Sequence, residues 1–300
     1  MLMGKKKPLI SIITPIYNRQ ELLEKCYESL VAQTSKAFEW IVIDDGSTDN
    51  TKDIMGEICN KELSFSIKYI WKENGGKHTA LNAAHPYIEG KYVLILDSDD
   101  TLTEDAVMQV LVGWEKYEKD SEVGIVIFLK KTQEGEVCSY AKDEYKKVHL
   151  LTYQRTRNVS TDCCEVLRAE LFKKYPFPAF KGEKFLAETA LWNRIALDSL
   201  CVYINIPIYI CTYHEDGLTK SGRKMRVSNP IGGMYTSYLR MNKQCRMKER
   251  IKAALLFVCY GKYAGEPFVK IIRKAKEQKI LCLAAWIPGN LMYLQWKKKY

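Results

Sequence analysis

The sequence lacks the marks of several protein classes. Its ten cysteines are scattered through apolar segments and include no C-x-x-C pair, which predicts reduced core residues and neither a disulfide framework nor a zinc cluster. It has no G-x-G-x-x-G segment, which argues against a dinucleotide-dependent dehydrogenase. The N-terminal apolar run is short, is broken by Pro15 and lacks a small-residue cleavage site. We therefore expect no secretory signal and a cytosolic protein.

Composition and charge indicate an ordinary globular chain with two unlike parts. The 300 residues are 47% hydrophobic and 27% charged, which suits one large domain or two small ones. The net charge of +10 is unevenly distributed. Residues 217–300 contain 19 Lys and Arg against three acidic residues, a balance of +16 that leaves −6 for residues 1–216. The two parts are therefore expected to have different partners.

The first hundred residues repeat a short apolar run, a polar turn and a segment with helical spacing. The predicted strands are "PLISIITP", "EWIVIDD", "SIKYIW" and "KYVLILDSDD". Such alternation predicts a parallel α/β sheet that helices cover on both faces. We expect Ser47 or Thr48 to cap the helix after the second strand. Further along, "GIVIFLK" and "CVYINIPIYICTY" are predicted strands, "CCEVLRAELFKKY" a helix, and "FPAFKGEKFLAETALWNRIALDS" a loop leading into a helix.

Polar residues gather at the ends of the first four predicted strands. They fall in four segments: Pro15 to Arg19, Asp44 to Ser47, Asn74 to Lys77 and Asp97 to Asp100. Ligands of open α/β sheets bind outside the carboxyl ends of the strands. The four segments are therefore predicted to line one crevice.

The fourth segment carries three carboxylates, Asp97, Asp99 and Asp100, directly after an apolar strand. Like charges this close resist joint ionisation unless a cation lies among them. Mg²⁺ and Mn²⁺ take oxygen ligands and commonly bridge a carboxylate to phosphate oxygens. A divalent metal site is the interpretation we favour. The alternative is a solvated turn that caps the next helix.

Four motifs in this order resemble family 2 glycosyltransferases of the GT-A fold: "TPIYNR", "IDDGSTDNT", "ENGGKHTALNAA" and "LILDSDD". The resemblance is dense over about residues 8–105, and "GEKFLAETALWNRIA" and "YHEDGLTKSG" resemble the acceptor-side motifs. It implies a Rossmann-like, mostly parallel central sheet flanked by helices. A GT-A catalytic domain would span residues 1–228, with a donor half at 1–105 and an acceptor half at 106–228. A basic helical region would follow at 229–300.

The resemblance also implies donor-binding roles by position. The first loop would pack on the nucleotide base and ribose, Asp44 would hydrogen-bond the base, and Asp97 would face the ribose. Asp99 would ligate a Mn²⁺ or Mg²⁺ ion that bridges the diphosphate. The implied donor-binding residues are Pro15, Tyr17, Asn18, Arg19, Asp44, Gly75, Lys77, Asn82, Asp97 and Ser98. For Lys77 the alternative is a plain surface lysine. For Asp44 and Asp45 the alternative is a turn plus a helix N-cap, and we expect that arrangement for Asp45 and Ser47.

The catalytic base implied by the resemblance is Glu188. Many family members have a Glu-Asp pair shortly before a Leu-Trp, and this sequence has Ala187-Glu188 before Leu191-Trp192. Ala187 thus replaces the first acid. The implied reaction is a single displacement with inversion at the anomeric carbon, which needs a base at the acceptor hydroxyl. The alternative is that Glu188 is an acidic residue in the first turn of a helix, where it favours the helix dipole.

Residues after the last predicted strand offer further ligands. The resemblance implies that His214 is a candidate further metal ligand, a role that suits a neutral imidazole. The alternative is a hydrogen-bonded loop histidine. Lys220, Arg223 and Lys224 lie in a glycine-containing segment that could close over a diphosphate. Alternatively, they begin the basic surface of the C-terminal region.

The C-terminal region alternates apolar runs with Lys and Arg clusters. No run in it reaches the ~20 apolar residues of a spanning helix, and Pro288-Gly289 interrupts the longest. Its apolar residues beside many cations fit a helix lying on an anionic membrane surface: Trp286, Leu291, Met292, Leu294 and Trp296. This predicts a peripheral protein at the inner face of the plasma membrane. The alternatives are packing on the catalytic domain and a homodimer interface. We expect no nucleic acid partner, because no groove-reading motif is present.

The function that the resemblance implies is metal-dependent, inverting transfer of a sugar from a nucleotide-sugar donor, expected to be a UDP-sugar, to a glycan or lipid-linked acceptor in bacterial surface polysaccharide synthesis. A nucleotidyltransferase is an alternative, but "TPIYNRQ" lacks the glycines of a phosphate loop. A non-catalytic nucleotide-binding or membrane scaffold is another. That alternative predicts loss of an acidic ligand or base, whereas Asp97, Asp99 and Glu188 are all present.

Overall fold

The computed structural model of the chain describes residues 7–154, 156–158, 160, 162–212 and 218–300, with the backbone alone at residues 156, 157 and 218–221. The chain divides into two compact units. The first, called the sheet unit, comprises Met1–His149, Tyr153–Pro176 and Asp198–Tyr213. The second, called the helical unit, comprises Leu150–Thr152, Phe177–Leu197 and His214–Tyr300.

The strands of the described residues all belong to the sheet unit. They are β1 (Ile10–Ile16), β2 (Phe38–Asp44), β3 (Ser66–Trp71), β4 (Tyr92–Ile95), β5 (Thr101–Leu102), β6 (Val123–Thr132), β7 (Ser139–Tyr140), β8 (Lys147–Val148), β9 (Thr156–Arg157), β10 (Cys163–Arg168) and β11 (Leu200–Cys211). Nine form one sheet in the order β3-β2-β1-β4-β10-β6-β11-β5, with β8 also paired to β11. β7 and β9 pair separately. β1 to β4 run parallel, whereas β10 is antiparallel to both of its neighbours.

The described part of the sheet unit contains five helices: α1 (Leu23–Val31), α2 (Thr51–Cys59), α3 (Lys77–Ala83), α4 (Ala106–Glu115) and α5 (Ala169–Lys174). The helical unit contains α6 (Thr189–Asp198, apart from its last residue), α7 (Leu218–Ser228), α8 (Pro230–Arg240), α9 (Met247–Tyr263), α10 (Phe268–Lys274), α11 (Lys279–Ala284) and α12 (Trp286–Lys297). Short 3-10 helices occur at His85–Tyr87 and Lys276–Gln278.

The parallel part of the sheet sets the position of the site. Every residue of β1 and β2 is buried, as expected for Ile- and Val-rich strands that are covered on both faces. β3 lies at the edge and is half-buried. Ile16 is in register with Asp44, and Ile13 with Ile95, so the carboxyl ends of β1, β2 and β4 meet at one edge. The predicted α/β sheet is confirmed, and this edge is where such sheets bind ligands.

The prediction of a single helix over residues 163–175 is wrong for its first half. Residues 163–168 form β10, which pairs with β4 and β6, and helix α5 begins only at Ala169. Val166 and Leu167 are fully buried. The strand forms backbone hydrogen bonds with a neighbouring strand along each of its two edges. Pairing in the middle of the sheet therefore overrides the helical spacing of the sequence.

The helical unit has its own apolar core around α9, which confirms the predicted helical C-terminal region. A Cβ atom at Gly289 of α12 would lie 2.8 Å from Cβ of Val258 in α9, so glycine permits the close approach of these helices. Trp286 lies edge-on against Phe268, with ring centroids 4.5 Å apart. Trp296 also packs against this core. Among the described residues, no helix combines the length and the apolar character needed to cross a bilayer.

Candidate active site

The loops after β1 and β2 are joined by hydrogen bonds at Asn18. Its backbone N–H donates to Ser47 Oγ at 2.9 Å, and its Oδ1 accepts from the backbone N–H of Thr48 at 2.8 Å. Asn18 has a positive φ of 51°, a conformation that asparagine tolerates better than most residues. Helix α2 begins only at Thr51. The prediction that Ser47 or Thr48 caps this helix is therefore wrong, because both residues bind the neighbouring loop instead.

Asp44 is fully buried at the end of β2. Its Oδ1 accepts from the backbone N–H of Ser47 at 2.7 Å, and its Oδ2 accepts from the Tyr69 hydroxyl at 2.5 Å. Burial, together with the adjacent Asp44 carboxylate, raises the pKa of the Tyr69 phenol. The orientation of Asp44 is thus fixed from two sides. Tyr69 lies on the edge strand β3, and sequence reasoning did not single it out.

Asp45 holds the loop that precedes α3. Its Oδ1 accepts from Gly75 N–H at 3.0 Å and from Lys72 Nζ at 2.6 Å, and its Oδ2 accepts from Gly76 N–H at 2.7 Å. Gly46 has a φ of +83°, and a Cβ there would lie 2.8 Å from the backbone nitrogen of Asn74, so only glycine fits. The expectation that Asp45 caps α2 is therefore wrong, because its carboxylate links the second loop to the third.

Lys77 and Asp97 form an ion pair at the edge of the sheet. Lys77 is the first residue of α3. Burial acts to raise the pKa of Asp97, but the ammonium groups of Lys77 and Lys130 outweigh it, and the pKa is lowered. Lys77 is therefore not a plain surface lysine. Asn82 lies half-buried in the same helix, and its contact with a donor remains a prediction.

The three acidic residues after β4 converge. Their ligand oxygens, one from each of Asp97, Asp99 and Asp100, all lie within 4.8 Å of one another. Asp97 and Asp99 are half-buried, whereas Ser98 and Asp100 are buried. Burial raises the pKa of Asp100 to about 6, and the two other carboxylates act in the same direction. A compact set of oxygen donors with excess negative charge fits Mg²⁺ or Mn²⁺.

Two residues from distant strands complete this cluster. Tyr209 of β11 is fully buried, and its hydroxyl accepts from the backbone N–H of Asp97 and donates to Asp100 Oδ2. Lys130 of β6 places Nζ 3.8 Å from the centre of the Tyr209 ring. Burial acts to lower the pKa of Lys130, but Asp97 and Asp100 outweigh it and raise the pKa. Sequence reasoning missed both residues, and its only available signal was a tyrosine in an apolar strand.

The first loop offers one exposed ring. Pro15 is buried within β1, in register with Ile43 of β2. Tyr17, directly after β1, is 47% exposed. The backbone N–H of Arg19 donates to Thr51 Oγ1 at 3.3 Å, while its side chain is exposed. Tyr17 and Arg19 are therefore accessible to a ligand, whereas Pro15 shapes the strand end.

Glu188 belongs to the helical unit and directly precedes α6. Its carbonyl oxygen accepts from the backbone N–H groups of Leu191 at 2.8 Å and Trp192 at 3.2 Å. The residue is half-buried. Glu183, earlier in the same loop, accepts from Ile231 N–H at 2.6 Å and from Gly232 N–H at 2.7 Å, at the start of α8. The loop before α6 is thus fixed within its unit, and both interpretations of Glu188 suit a helix N-terminus.

The remaining predicted ligands lie at the start of the basic region. His214 lies outside the described residues, and only the backbone of Lys220 is described. The glycine-containing segment forms helix α7 over residues 218–228. The Arg223 guanidinium lies 4.7 Å from the Trp296 ring centre, and Lys224 is exposed. Their diphosphate contacts remain predictions.

Solved structures share this fold. S. aureus TarS in complex with UDP-GlcNAc has a TM-score of 0.61 at 19% identity, over 92% of this chain and 79% of that one. The mannosyltransferase PcManGT from Pyrobaculum calidifontis, in complex with GDP-Man and Mn²⁺, has a TM-score of 0.57 at 16% identity, over 96% and 84%. At these identities the likeness shows the fold alone, which is GT-A.

The particular family follows from the sequence match. The model of Glycosyl transferase family 2 matches residues 11–175, more than half of the chain. The chain therefore belongs to this family. The resemblance drawn from the four motifs and the predicted GT-A fold are both confirmed.

Several curated relatives are glycosyltransferases. GlyG of Streptococcus pneumoniae serotype 4 is 29% identical over 218 residues, which is 67% of this chain and 70% of GlyG. GlyA of the same organism is 38% identical over 117 residues, 38% of this chain and 16% of GlyA. The poly(ribitol-phosphate) beta-glucosyltransferase of Bacillus spizizenii is 32% identical over 120 residues, 39% of this chain and 18% of that enzyme. The chain thus spans less than a fifth of these last two relatives.

Proposed function

We propose that this protein transfers a sugar from a nucleotide diphosphate donor, preferably a uridine one, to an acceptor hydroxyl. The observation that supports this most is the cluster of Asp97, Asp99 and Asp100, with ligand oxygens within 4.8 Å of one another. It follows a strand whose carboxyl end adjoins those of β1 and β2. The TarS structure with UDP-GlcNAc and the glycosyltransferase relatives support the same donor class.

In this proposal the protein's own residues bind and orient the donor. The exposed Tyr17 ring stacks on the base, and the buried Asp44 accepts a hydrogen bond from it, with Tyr69 holding that carboxylate in place. Asp97 and Ser98 face the ribose, and Lys77 adds a positive charge beside the acidic turn. Gly75 and Asn82 contact the donor from the third loop and α3.

A divalent cation, Mn²⁺ or Mg²⁺, is the proposed cofactor. Asp99 would hold it, with Asp97 and Asp100 adjacent and His214 as a second predicted ligand. When bound, such an ion supplies positive charge that stabilises the departing nucleotide diphosphate. The oxygen-only donor set of the described residues suits both ions. PcManGT, a protein of the same fold, is solved with Mn²⁺.

The proposed acceptor is a glycan or lipid-linked glycan of a bacterial surface polysaccharide. Poly(ribitol-phosphate) is the polymer in the name of one relative, which supports the class of acceptor. Glu188 is the proposed base, and a single displacement inverts the anomeric centre. The division into a catalytic domain at 1–228, with donor and acceptor halves meeting near residue 105, and a basic region at 229–300 is part of this proposal.

Calorimetric titration of the full chain with UDP, with and without Mn²⁺, tests the nucleotide site. We expect UDP to bind on the order of 10-fold more tightly with Mn²⁺, a difference of about 1.4 kcal/mol, and GDP, ADP and CDP to bind more weakly. If no nucleotide bound in the presence of metal, the acidic turn would be a helix-capping feature and the donor proposal would fail.

Peripheral association with an anionic membrane is also proposed, and the outer surface of α11 and α12 supports it. Ile280 is 85% exposed and Ile287 is 72% exposed, and Leu283, Leu291 and Leu294 are exposed as well. Exposed lysines accompany them: Lys276, Lys279, Lys297, Lys298 and Lys299. Apolar side chains beside cations favour the boundary of an anionic leaflet. Of the predicted interfacial residues, Trp286 and Trp296 pack largely inward instead.

Sedimentation with vesicles tests this surface. We expect the full chain to pellet with vesicles containing anionic lipid and not with neutral ones. The triple variant Ile280→Ser, Ile287→Ser and Leu291→Ser should partition at least roughly 10-fold more weakly. Tenfold corresponds to about 1.4 kcal/mol, and full burial of a single such side chain contributes about 1.5–3 kcal/mol. The variant Val112→Ser, at an exposed position of α4, should pellet like the wild type.

Two results would contradict the membrane proposal. Full-length protein that stayed in the supernatant with anionic vesicles would show that this surface does not bind them. Sedimentation velocity that showed a dimer dissociated by the triple variant would assign the surface to a second copy of the chain.

A further inference from the structure

The hydroxyl of Tyr209 contacts the acidic turn at both of its ends. It accepts from the backbone N–H of Asp97 at 3.0 Å and donates to Asp100 Oδ2 at 2.8 Å. The turn is also closed by its own backbone, because Asp100 N–H donates to the Asp97 carbonyl at 3.1 Å. A single oxygen atom thus links Asp97 and Asp100, the two ends of the turn that contains Asp99.

Tyr209 is itself rigidly placed within the sheet unit. It is in register with Leu102 of β5 on one side and with Lys130 of β6 on the other. Its side chain is fully buried, and the Lys130 ammonium lies 3.8 Å from its ring centre, a cation–π contact. The phenol oxygen therefore has little freedom to move relative to the strands.

The end of β11 binds Asp100 a second time. The backbone N–H of Thr212 donates to Asp100 Oδ1 at 2.8 Å, so each oxygen of this carboxylate has a partner on or just after β11. A carboxylate oxygen has two acceptor sites, so both oxygens can still accept another contact. Asp100 anchors the turn, while Asp97 and Asp99 remain partly open to solvent.

We propose that Tyr209 is a positioning residue for cation binding: its hydroxyl holds the turn so that the oxygens of Asp97 and Asp99 converge on one point. The inference rests on the proposed metal role of this cluster and extends it to a residue of a distant strand. Outer contacts that orient ligands determine metal affinity almost as strongly as the ligands do. A tyrosine that served only the core would fill space without affecting cation affinity.

Tyr209→Phe removes the hydroxyl and leaves the ring in place. We expect the dissociation constant for Mn²⁺, measured on the full chain without nucleotide from the electron paramagnetic resonance signal of free Mn²⁺, to rise about 10-fold, the lower end of the effect of losing a supporting contact. UDP affinity without metal should stay unchanged, because the donor loops keep their contacts. The matched control is Tyr203→Phe, which removes a hydroxyl from another fully buried tyrosine of β11 and should leave Mn²⁺ affinity as in the wild type.

The outcomes separate this inference from the proposed function. Wild-type binding of Mn²⁺ with equal affinity in the Tyr209→Phe variant would overturn the role of Tyr209 alone. A wild type that bound neither Mn²⁺ nor Mg²⁺ would overturn the metal site and the inference with it. If the variant did not fold, wild-type protein with ¹³C-labelled tyrosine rings would be titrated with Mg²⁺. The Tyr209 signals should then shift in step with saturation, and unshifted signals would overturn the inference.

Discussion

Alanine in place of Asp99 should abolish the gain in UDP affinity that Mn²⁺ gives to the wild-type protein. Asp99 is half-buried, and its carboxylate lies with those of Asp97 and Asp100 in one compact cluster. Loss of a ligand should weaken Mn²⁺ binding by more than the roughly 10–100-fold that follows loss of a supporting contact. The comparison is made by calorimetric titration with UDP in the presence and absence of Mn²⁺.

Stability and a matched control identify the cause of that loss. Removing one of three neighbouring like charges relieves repulsion, so the melting temperature of Asp99→Ala without metal should equal or exceed that of the wild type. Asp53→Ala removes an exposed acid from the first turn of α2 and should keep the full response to Mn²⁺. An unchanged metal dependence in Asp99→Ala would remove this residue from the ligand set.

The position of the candidate site could be predicted from local sequence because it depends on where the strands end. Each of the first four strands is a short apolar run that stops at polar residues, and parallel strands bring those stops to one edge of the sheet. Asp44 ends β2 as the pattern predicts, and Asp97 follows shortly after β4. No long-range information was needed for this step. The four motifs together then supplied the family.

The supporting residues of the site could not be predicted in the same way. Tyr209 is 112 residues from Asp97, and its hydroxyl accepts a hydrogen bond from the backbone N–H of Asp97. The two residues meet because β11 pairs with β5, the short strand that directly follows the acidic turn. Lys130 reaches the cluster because β6 pairs with β11 on its other side. Strand order in the second half of the sheet depends on long-range pairing, and the sequence carries no local signal for it. A buried tyrosine hydroxyl needs a partner, but the sequence does not say which one.

The wrong helix caps have a related cause. Short polar residues before a helix suit both capping and contacts to a neighbouring loop, because both use the same side-chain oxygens. Ser47 binds Asn18, and Asp45 binds Gly75 and Gly76. In this protein the side chains of Ser47 and Asp45 bind a neighbouring loop instead of capping the helix. These contacts join three loops at the edge of the sheet, which is an arrangement suited to holding a ligand.

Kinetics can distinguish the two roles of Glu188, a general base and a charge at the N-terminus of a helix. It directly precedes α6, where a negative charge favours the helix dipole whatever its catalytic role. The family pattern has a second acid at the position of Ala187, so Glu188 would have to act without that partner. A charge at a helix end contributes about 0.3–1 kcal/mol to stability, whereas a general base typically contributes 10²–10⁴-fold to rate. Loss of a helix-end charge would therefore lower stability slightly, whereas loss of a general base would lower the rate of transfer.

Glu188→Gln keeps the shape of the side chain and removes its charge and basicity. We expect kcat for sugar transfer to fall at least about 100-fold, while calorimetric affinity for UDP with Mn²⁺ stays at the wild-type value. Glu170→Gln is the matched control, because Glu170 is an exposed acid in the first turn of α5. It should lose only the small dipole contribution to stability and keep full activity. Glu188→Gln could instead lose a little stability and still transfer sugar at the wild-type rate. Glu188 would then be a helix-terminal charge, and another acidic residue of the chain would have to be the base.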